Sequence, residues 1–128
     1  MRTLTRISRF IPAALYYAGV AFLSSRSSFA FHEPFPGFDK LFHSVEFAGL
    51  GALLAFGFFR GTTAGFRDKT ARGKAAAACA TGWILGVLDE LHQISVPGRS
   101  PDPLDAAVDA LGAAIGVGLF VVLRRRRR

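Results

Sequence analysis

Four apolar blocks separated by short charged segments constrain the fold of this chain most strongly. They cover approximately residues 10–25, 41–59, 75–93 and 104–123. About 20 mostly apolar residues let a helix cross a bilayer, and backbone groups inside lipid must be satisfied within the segment. The third block reaches that length only if its helix continues through "DELHQI". The sequence therefore predicts an all-α fold, an integral membrane four-helix bundle formed by a single domain over residues 1–128.

The basic residues indicate how this bundle is oriented. Of the 16 Lys and Arg residues, only Arg26, Lys40 and Arg99 lie outside the segments before the first block, between the second and third, and after the fourth. By the positive-inside rule, both termini and the middle loop are predicted to be cytoplasmic. The basic tail at 124–128 is expected to contact anionic lipid. The net charge of +7 does not indicate a nucleic-acid partner, because no aromatic or polar reading surface accompanies the arginines.

The N-terminal block allows a second interpretation. Arginines, an apolar core and small residues up to Ala30 are also typical of a cleavable signal peptide, which would leave a mature chain beginning near Phe31. Cleavage and a retained first helix both remain open from these residues.

Polar side chains interrupt the second and third blocks at helical spacing. Asp39, His43 and Glu46 stand at i, i+4 and i+7, so they share one helix face that leads into the membrane. Glu90 and Gln93 stand at i and i+3 near the end of the third block. The neighbouring Asp89, His92 and Arg26 are interpreted as a solvated helix end, an interfacial residue and a solvated loop charge.

The fourth block begins with "DPLD", which is typical of a helix start. Asp102 is predicted to be the N-cap, Pro103 the first helical residue and Asp105 part of the first turn. Asp109 lies a full turn deeper and has no such role. An ionised aspartate within a span costs about 2.5–3.5 kcal/mol on insertion scales, so it should face the bundle interior and have a partner.

In a four-span arrangement these side chains meet in the outer leaflet and form one outward-facing polar pocket. No paired-His spacing predicts a metal site there, and no cofactor is expected. A structural ion-pair network, in which Arg99 and Lys40 neutralise carboxylates, is an alternative. The predicted ligand-binding residues are Asp39, Lys40, His43, Glu46, Glu90, Gln93, Arg99, Asp105 and Asp109.

Two stretches carry a family resemblance. "FDKLFHSVEFAGLGALL" and "DELHQISVPGRSPDPLDAAVDALGAAIG" resemble the VanZ-like small bacterial membrane proteins, which open one span with Asp-Lys-x-x-His and join two later ones with Glu-x-x-Gln, Pro-Gly-Arg and Asp-x-x-x-Asp. "FLSSRS" is similar to the family's Ser-Ser after the first helix and favours an uncleaved first span. The chain differs at Ser44 and Phe47, where the family commonly has an aromatic residue and a tyrosine. The resemblance implies a multi-pass protein of the bacterial cytoplasmic (inner) membrane and a link to teicoplanin resistance.

Two functions fit the predicted pocket. In the first, the pocket binds the head group of a membrane lipid or of a lipid-linked cell-wall precursor, with Arg99 and Lys40 on phosphate and the carboxylates on hydroxyls or amines. In the second, the protein is an intramembrane enzyme with Glu90 or Asp109 as general base and His43 as acid or base. The GxxxG pair Gly112 and Gly116 offers a face through which copies of the chain could associate.

Overall fold

The fold was analysed in a computed structural model that describes residues 7–26, 35–62, 68–98 and 102–127. A 3₁₀ turn, Ser8–Phe10, leads into α1, which spans Ile11–Ser24. The other helices are α2 (Phe38–Phe59), α3 (Lys69–Gln93) and α4 (Pro103–Arg126). The predicted all-α four-helix bundle is confirmed. Helices α2 and α4 are long and apolar enough to cross a membrane.

Local chemistry explains where the helices begin. The Asp68 carboxylate accepts the Thr70 N–H and starts α3 six residues before the apolar block, inside the charged segment. Asp102 is the N-cap of α4, as predicted, because its side chain accepts the Leu104 N–H at 2.9 Å and Pro103 follows it. Gly37 precedes α2 with φ of 85°, a left-handed conformation that favours glycine.

Consecutive helices run in opposite directions, so α2 and α4 are parallel. Their N-termini meet at Lys40 and Asp102, and their C-termini meet where Arg124 of α4 donates to the carbonyl of Phe59 in α2. The contact between α2 and α4 is the most extensive in the bundle. Phe47 and Leu50 are fully buried in the core.

Small residues allow α2 and α4 to approach closely. A Cβ added at Gly112 would collide with the backbone of Ser44, and one at Gly116 would collide with the backbone of Ala48. Such contacts are typical of helix pairs that associate without a hydrophobic driving force. The face that the GxxxG spacing offers to a second copy is therefore covered by α2 of the same chain.

The outward faces of the helices are apolar. Leu15, Val45, Ile84 and Leu119, one from each helix, are all more than half exposed. A soluble protein of this size rarely leaves so much large apolar surface uncovered, whereas lipid is a suitable neighbour for it.

Candidate functional site

Six buried polar side chains of the described residues lie at one end of the bundle, where α1 and α3 end and α2 and α4 begin. We call this group the buried polar cluster. Each member is at least nine-tenths buried, and all four helices contribute. The members are Ser24 of α1, His43 of α2, Asp89, Glu90 and Gln93 of α3, and Asp109 of α4.

Asp109 lies at the centre of the cluster and is completely buried. Its Oδ1 is 3.3 Å from Nδ1 of His43, an ion-pair distance that does not meet hydrogen-bond geometry. Gly86 of α3 leaves room for the carboxylate, because a Cβ at this position would lie 2.9 Å from Cβ of Asp109 and 3.4 Å from the Phe47 ring. Asp109 therefore points into the bundle, as predicted, with His43 within reach.

Glu90 connects α3 to the start of α4. Its Oε2 accepts the backbone N–H of Asp102 at 2.8 Å, while the side chain is only 7% exposed. This bond satisfies the backbone donor of the N-cap residue and links the end of α3 to the start of α4. Glu90 thus has a structural partner for one oxygen, whereas its second oxygen, Oε1, has no hydrogen-bond partner among the described residues.

Asp89 lies inside the bundle and is only 1% exposed, so its interpretation as a solvated helix end was wrong. Its Oδ2 accepts hydrogen bonds from Ser24 Oγ at 2.9 Å and from Gln93 Nε2 at 3.0 Å. Gln93 Nε2 also donates to Ser24 Oγ at 3.1 Å. Since Asp89 and Gln93 are four residues apart, they share a helix face that turns toward α1.

Lys40 is surrounded by carboxylates above the buried polar cluster. Its Nζ donates to Asp105 Oδ1 at 2.6 Å and to Asp102 Oδ2 at 2.9 Å, and it lies 3.7 Å from Asp39 Oδ2. We call these four residues the lysine cluster. The ammonium holds the pKa of Asp102 below its usual value. The expectation that Lys40 is available to hold a phosphate does not fit this geometry, because the ammonium is engaged within the chain.

The remaining residues singled out from the sequence belong to neither cluster. Glu46 is half-buried on α2, one turn below His43. Arg99 lies outside the described residues. His92 is exposed, as expected for an interfacial residue, and its Nε2 is 2.8 Å from Ser25 Oγ. Arg26 is exposed, as expected, with its guanidinium 4.6 Å from the centre of the Phe22 ring.

Several buried atoms of the cluster have no hydrogen-bond partner within the described parts of the chain. They are Nδ1 of His43, Oδ1 of Asp89, Oε1 of Glu90 and both carboxylate oxygens of Asp109. A buried acceptor without a donor is unfavourable by about 1–3 kcal/mol, and more if it is charged. Four of these five atoms are carboxylate oxygens, so the arrangement suits hydrogen-bond donors or a proton held between carboxylate and imidazole.

Comparison with known proteins identifies the family. The family model described as VanZ/LLP1 matches residues 3–124. The chain belongs to the VanZ/LLP1 family. The VanZ-like resemblance is thus confirmed, and the matched region contains α1 to α3, α4 as far as Arg124, and both clusters. Membership in this family, together with the two candidate spans, indicates a membrane protein. The curated proteins and the solved structures contain no match to the chain.

Sequence reasoning missed two members of this site in the VanZ/LLP1 chain. Asp89 has a usable signal, because it precedes Gln93 by four residues and therefore shares its face. Ser24 lies in "FLSSRS", a stretch that supports the family resemblance but does not indicate which side chain Ser24 would hydrogen-bond to. Its contact with Asp89 depends on how α1 packs on α3, 65 positions away in sequence.

Proposed function

We propose that this chain is a multi-pass protein of the bacterial cytoplasmic membrane that binds a lipid head group through the buried polar cluster. The ligand is a membrane lipid or a lipid-linked cell-wall precursor, and an effect on teicoplanin susceptibility follows if the precursor is sequestered or altered. All four helices cross the membrane in this proposal. Both termini are cytoplasmic, and the cluster lies toward the outer leaflet.

The observation that carries the proposal is the set of buried carboxylate oxygens without donors. Asp109 lies about 9 Å along the helix axis from the first residue of α4, given a rise of 1.5 Å per residue. Carboxylates at such depth in a membrane protein are unfavourable unless paired, and they commonly mark functional sites. A head group supplies the missing donors and is held where lipid already surrounds the bundle.

The distribution of basic residues supports the orientation. Arg9 donates to the Arg60 carbonyl and Arg124 to the Phe59 carbonyl, so the arginines gather at the end opposite the buried polar cluster. Reporter fusions after Arg128 and within "GTTAGF" are both expected to report cytoplasm. An external signal from either fusion contradicts the orientation. The first helix is proposed to be retained, and a mature chain beginning near Phe31 on N-terminal sequencing contradicts that.

The binding function is tested by mass spectrometry of lipids that co-purify with the protein. Asp109→Asn keeps the size of the side chain and removes its charge, so we expect the bound lipid to be depleted. Asp68→Asn is the matched control, since it alters an aspartate at the other end and asparagine is also a good N-cap. Equal lipid profiles for wild type and Asp109→Asn contradict binding through this cluster and favour a purely structural network.

Arg99 is the proposed contact for the phosphate of the head group. It follows Gly98 in the sequence, and its planar guanidinium suits phosphate oxygens. Arg99→Ala is expected to deplete the same lipid species as Asp109→Asn. An unchanged profile removes Arg99 from the site while leaving the carboxylate contribution intact.

Catalysis on the head group is a second candidate, favoured by the contact between Asp109 and His43. A carboxylate beside an imidazole orients the ring and stabilises its protonated form, which suits a general acid or base. Glu90 is the other candidate base. Glu90→Gln is expected to abolish turnover while largely preserving lipid binding if catalysis occurs through Glu90. Full turnover by this variant excludes Glu90 as the base.

A further inference from the structure

Three carboxylate oxygens in the buried polar cluster have neither a hydrogen-bond nor an ion-pair partner in residues 7–26, 35–62, 68–98 and 102–127. They are Oδ1 of Asp89, Oε1 of Glu90 and Oδ2 of Asp109. The three side chains are at most 7% exposed, so bulk water does not satisfy them. These atoms are acceptors when the carboxylates are ionised, and the cluster therefore has an excess of acceptors over donors.

The neighbouring donors in the described part of the chain are already engaged. Lys40 donates to Asp102 and Asp105 in the lysine cluster. The Gln93 amide nitrogen donates to Asp89 Oδ2 and Ser24 Oγ, and the His43 ring faces the other oxygen of Asp109. A ligand that satisfies the remaining oxygens must bring its own donors.

The net charge of the buried polar cluster further restricts the chemical class of ligand that it could bind. Asp109 interacts electrostatically with both Asp89 and Glu90, so the three carboxylates share one environment. Against them the buried polar cluster offers only the His43 imidazole. No three His, Cys, Asp or Glu side chains in the described part of the chain are arranged to hold a metal ion. A cationic group with several N–H donors is the ligand that complements this arrangement.

We propose that the buried polar cluster binds a protonated primary amine carried by a lipid head group. The inference rests on the proposed function and narrows its ligand class. An ammonium has three N–H donors and a positive charge, which suits a cluster whose carboxylate oxygens outnumber their donors. Its hydrogen bonds to these carboxylates are charge-assisted and therefore stronger than those from a neutral hydroxyl. A quaternary amine has the charge but no donor, which makes it the natural comparison.

Two sources supply this chemistry, an ethanolamine phospholipid and an amino-acid side chain on a lipid-linked precursor. The full-length protein in detergent is titrated with short-chain phosphatidylethanolamine, and the thermal shift is recorded. Phosphatidylcholine and phosphatidylglycerol with the same acyl chains are the comparison lipids. A lipid-linked peptide bearing a lysine, with its N-acetylated form, tests the second source.

Phosphatidylethanolamine is expected to bind at least about tenfold more tightly than phosphatidylcholine, or the free lysine peptide at least about tenfold more tightly than its acetylated form. Phosphatidylcholine and the acetylated peptide are the capped amines of these two pairs. A difference within the phospholipid pair identifies an ethanolamine phospholipid as the ligand, and a difference within the peptide pair identifies a lipid-linked precursor. Asp109→Asn is expected to remove most of the preference, whereas Asp68→Asn retains it. The comparison of ligands on the wild-type protein remains informative even if Asp109→Asn folds poorly.

Two results overturn the inference, and they differ in what they leave standing. If capped and free amines bind equally, or phosphatidylglycerol binds best, and binding still depends on Asp109, the amine is not recognised but head-group binding survives. If no lipid or peptide shows binding that depends on Asp109, both the amine inference and the proposed function fail.

Discussion

The two ends of the bundle differ in how their polar groups are paired. At the basic end, Arg9 donates to the Arg60 carbonyl, and Arg124 donates to the carbonyls of Phe59 and Thr62. These cations satisfy backbone acceptors at the end of α2, which helix ends leave without intrahelical partners. At the opposite end, buried carboxylate oxygens have no donors among the described residues. The first arrangement is self-sufficient, whereas we propose that a ligand completes the second.

The lysine cluster sharpens this comparison because it lies at the acidic end but is also self-sufficient. Lys40 holds two aspartates within hydrogen-bond distance and a third at 3.7 Å. It neutralises the carboxylates near the surface, while Asp109 below it has an ion-pair contact with His43 alone among the described residues. Acidic residues alone therefore do not define the candidate site. What distinguishes it is that buried carboxylate oxygens lack donors among the described residues.

The largest effect is expected from replacing Asp109 with leucine. Leucine removes the partner of His43 and crowds Gly86, so Asp109→Leu is expected to destabilise the protein by about 3–5 kcal/mol, as breaking a buried pair does. Asp109→Asn should fold normally and lose ligand. Thermal unfolding in detergent and the teicoplanin phenotype measure the two properties separately. A stable, fully active Asp109→Leu protein would remove this residue from the site and erase the contrast between the ends.

The close packing of α2 against α4, which runs between the two ends of the bundle, is tested at Gly116. A Cβ here collides with the Ala48 backbone, so Gly116→Ala is expected to destabilise the protein by about 1–3 kcal/mol through overpacking. Gly118→Ala is the matched control, since a Cβ there meets nothing within 4 Å and alanine favours the helix by about 0.5–1 kcal/mol. Equal unfolding temperatures for the two variants contradict the close packing of α2 and α4.

A change at the basic end should affect stability without affecting binding. Arg124→Met removes the donors to Phe59 and Thr62, so we expect a loss of about 1 kcal/mol in unfolding free energy. Lipid binding at the other end is expected to stay within twofold of wild type. Measuring both properties in one preparation makes the comparison direct. Loss of the bound lipid in Arg124→Met places a binding site at the basic end instead.

The sequence predicted the bundle and the end at which its polar residues meet, because span length and helical spacing are local properties. Asp39, His43 and Glu46 share a face by spacing alone, and Asp102 and Pro103 mark the start of α4. The pairing of Lys40 with Asp102 and Asp105 was not predictable in this way. It depends on α2 and α4 lying side by side, which is decided by close contacts at glycines more than a turn away.

The smallest effect is expected from the lysine cluster and from pH. The Lys40 ammonium lowers the pKa of Asp102 relative to the unfolded chain, so its stabilisation is complete above the ordinary value of 3.8 and is lost as pH falls through the folded value. Solvent screening keeps this contribution small. Lys40→Met should reduce the dependence of unfolding temperature on pH below 3.8, and only the part due to the Leu104 N–H should remain. Identical profiles of unfolding temperature against pH for wild type and Lys40→Met contradict the conclusion that Lys40 lowers the pKa of Asp102.

The central claim, that the acidic end holds a lipid head group and the basic end does not, is tested most directly by photo-crosslinking. A phospholipid with a photoreactive head group is added to the full-length protein, and the modified peptides are mapped by mass spectrometry. The account predicts crosslinks in peptides that contain His43, Glu90 or Asp109, and their loss when unmodified lipid is added in excess. Crosslinks confined to Leu123–Arg127, or unaffected by competing lipid, would contradict it.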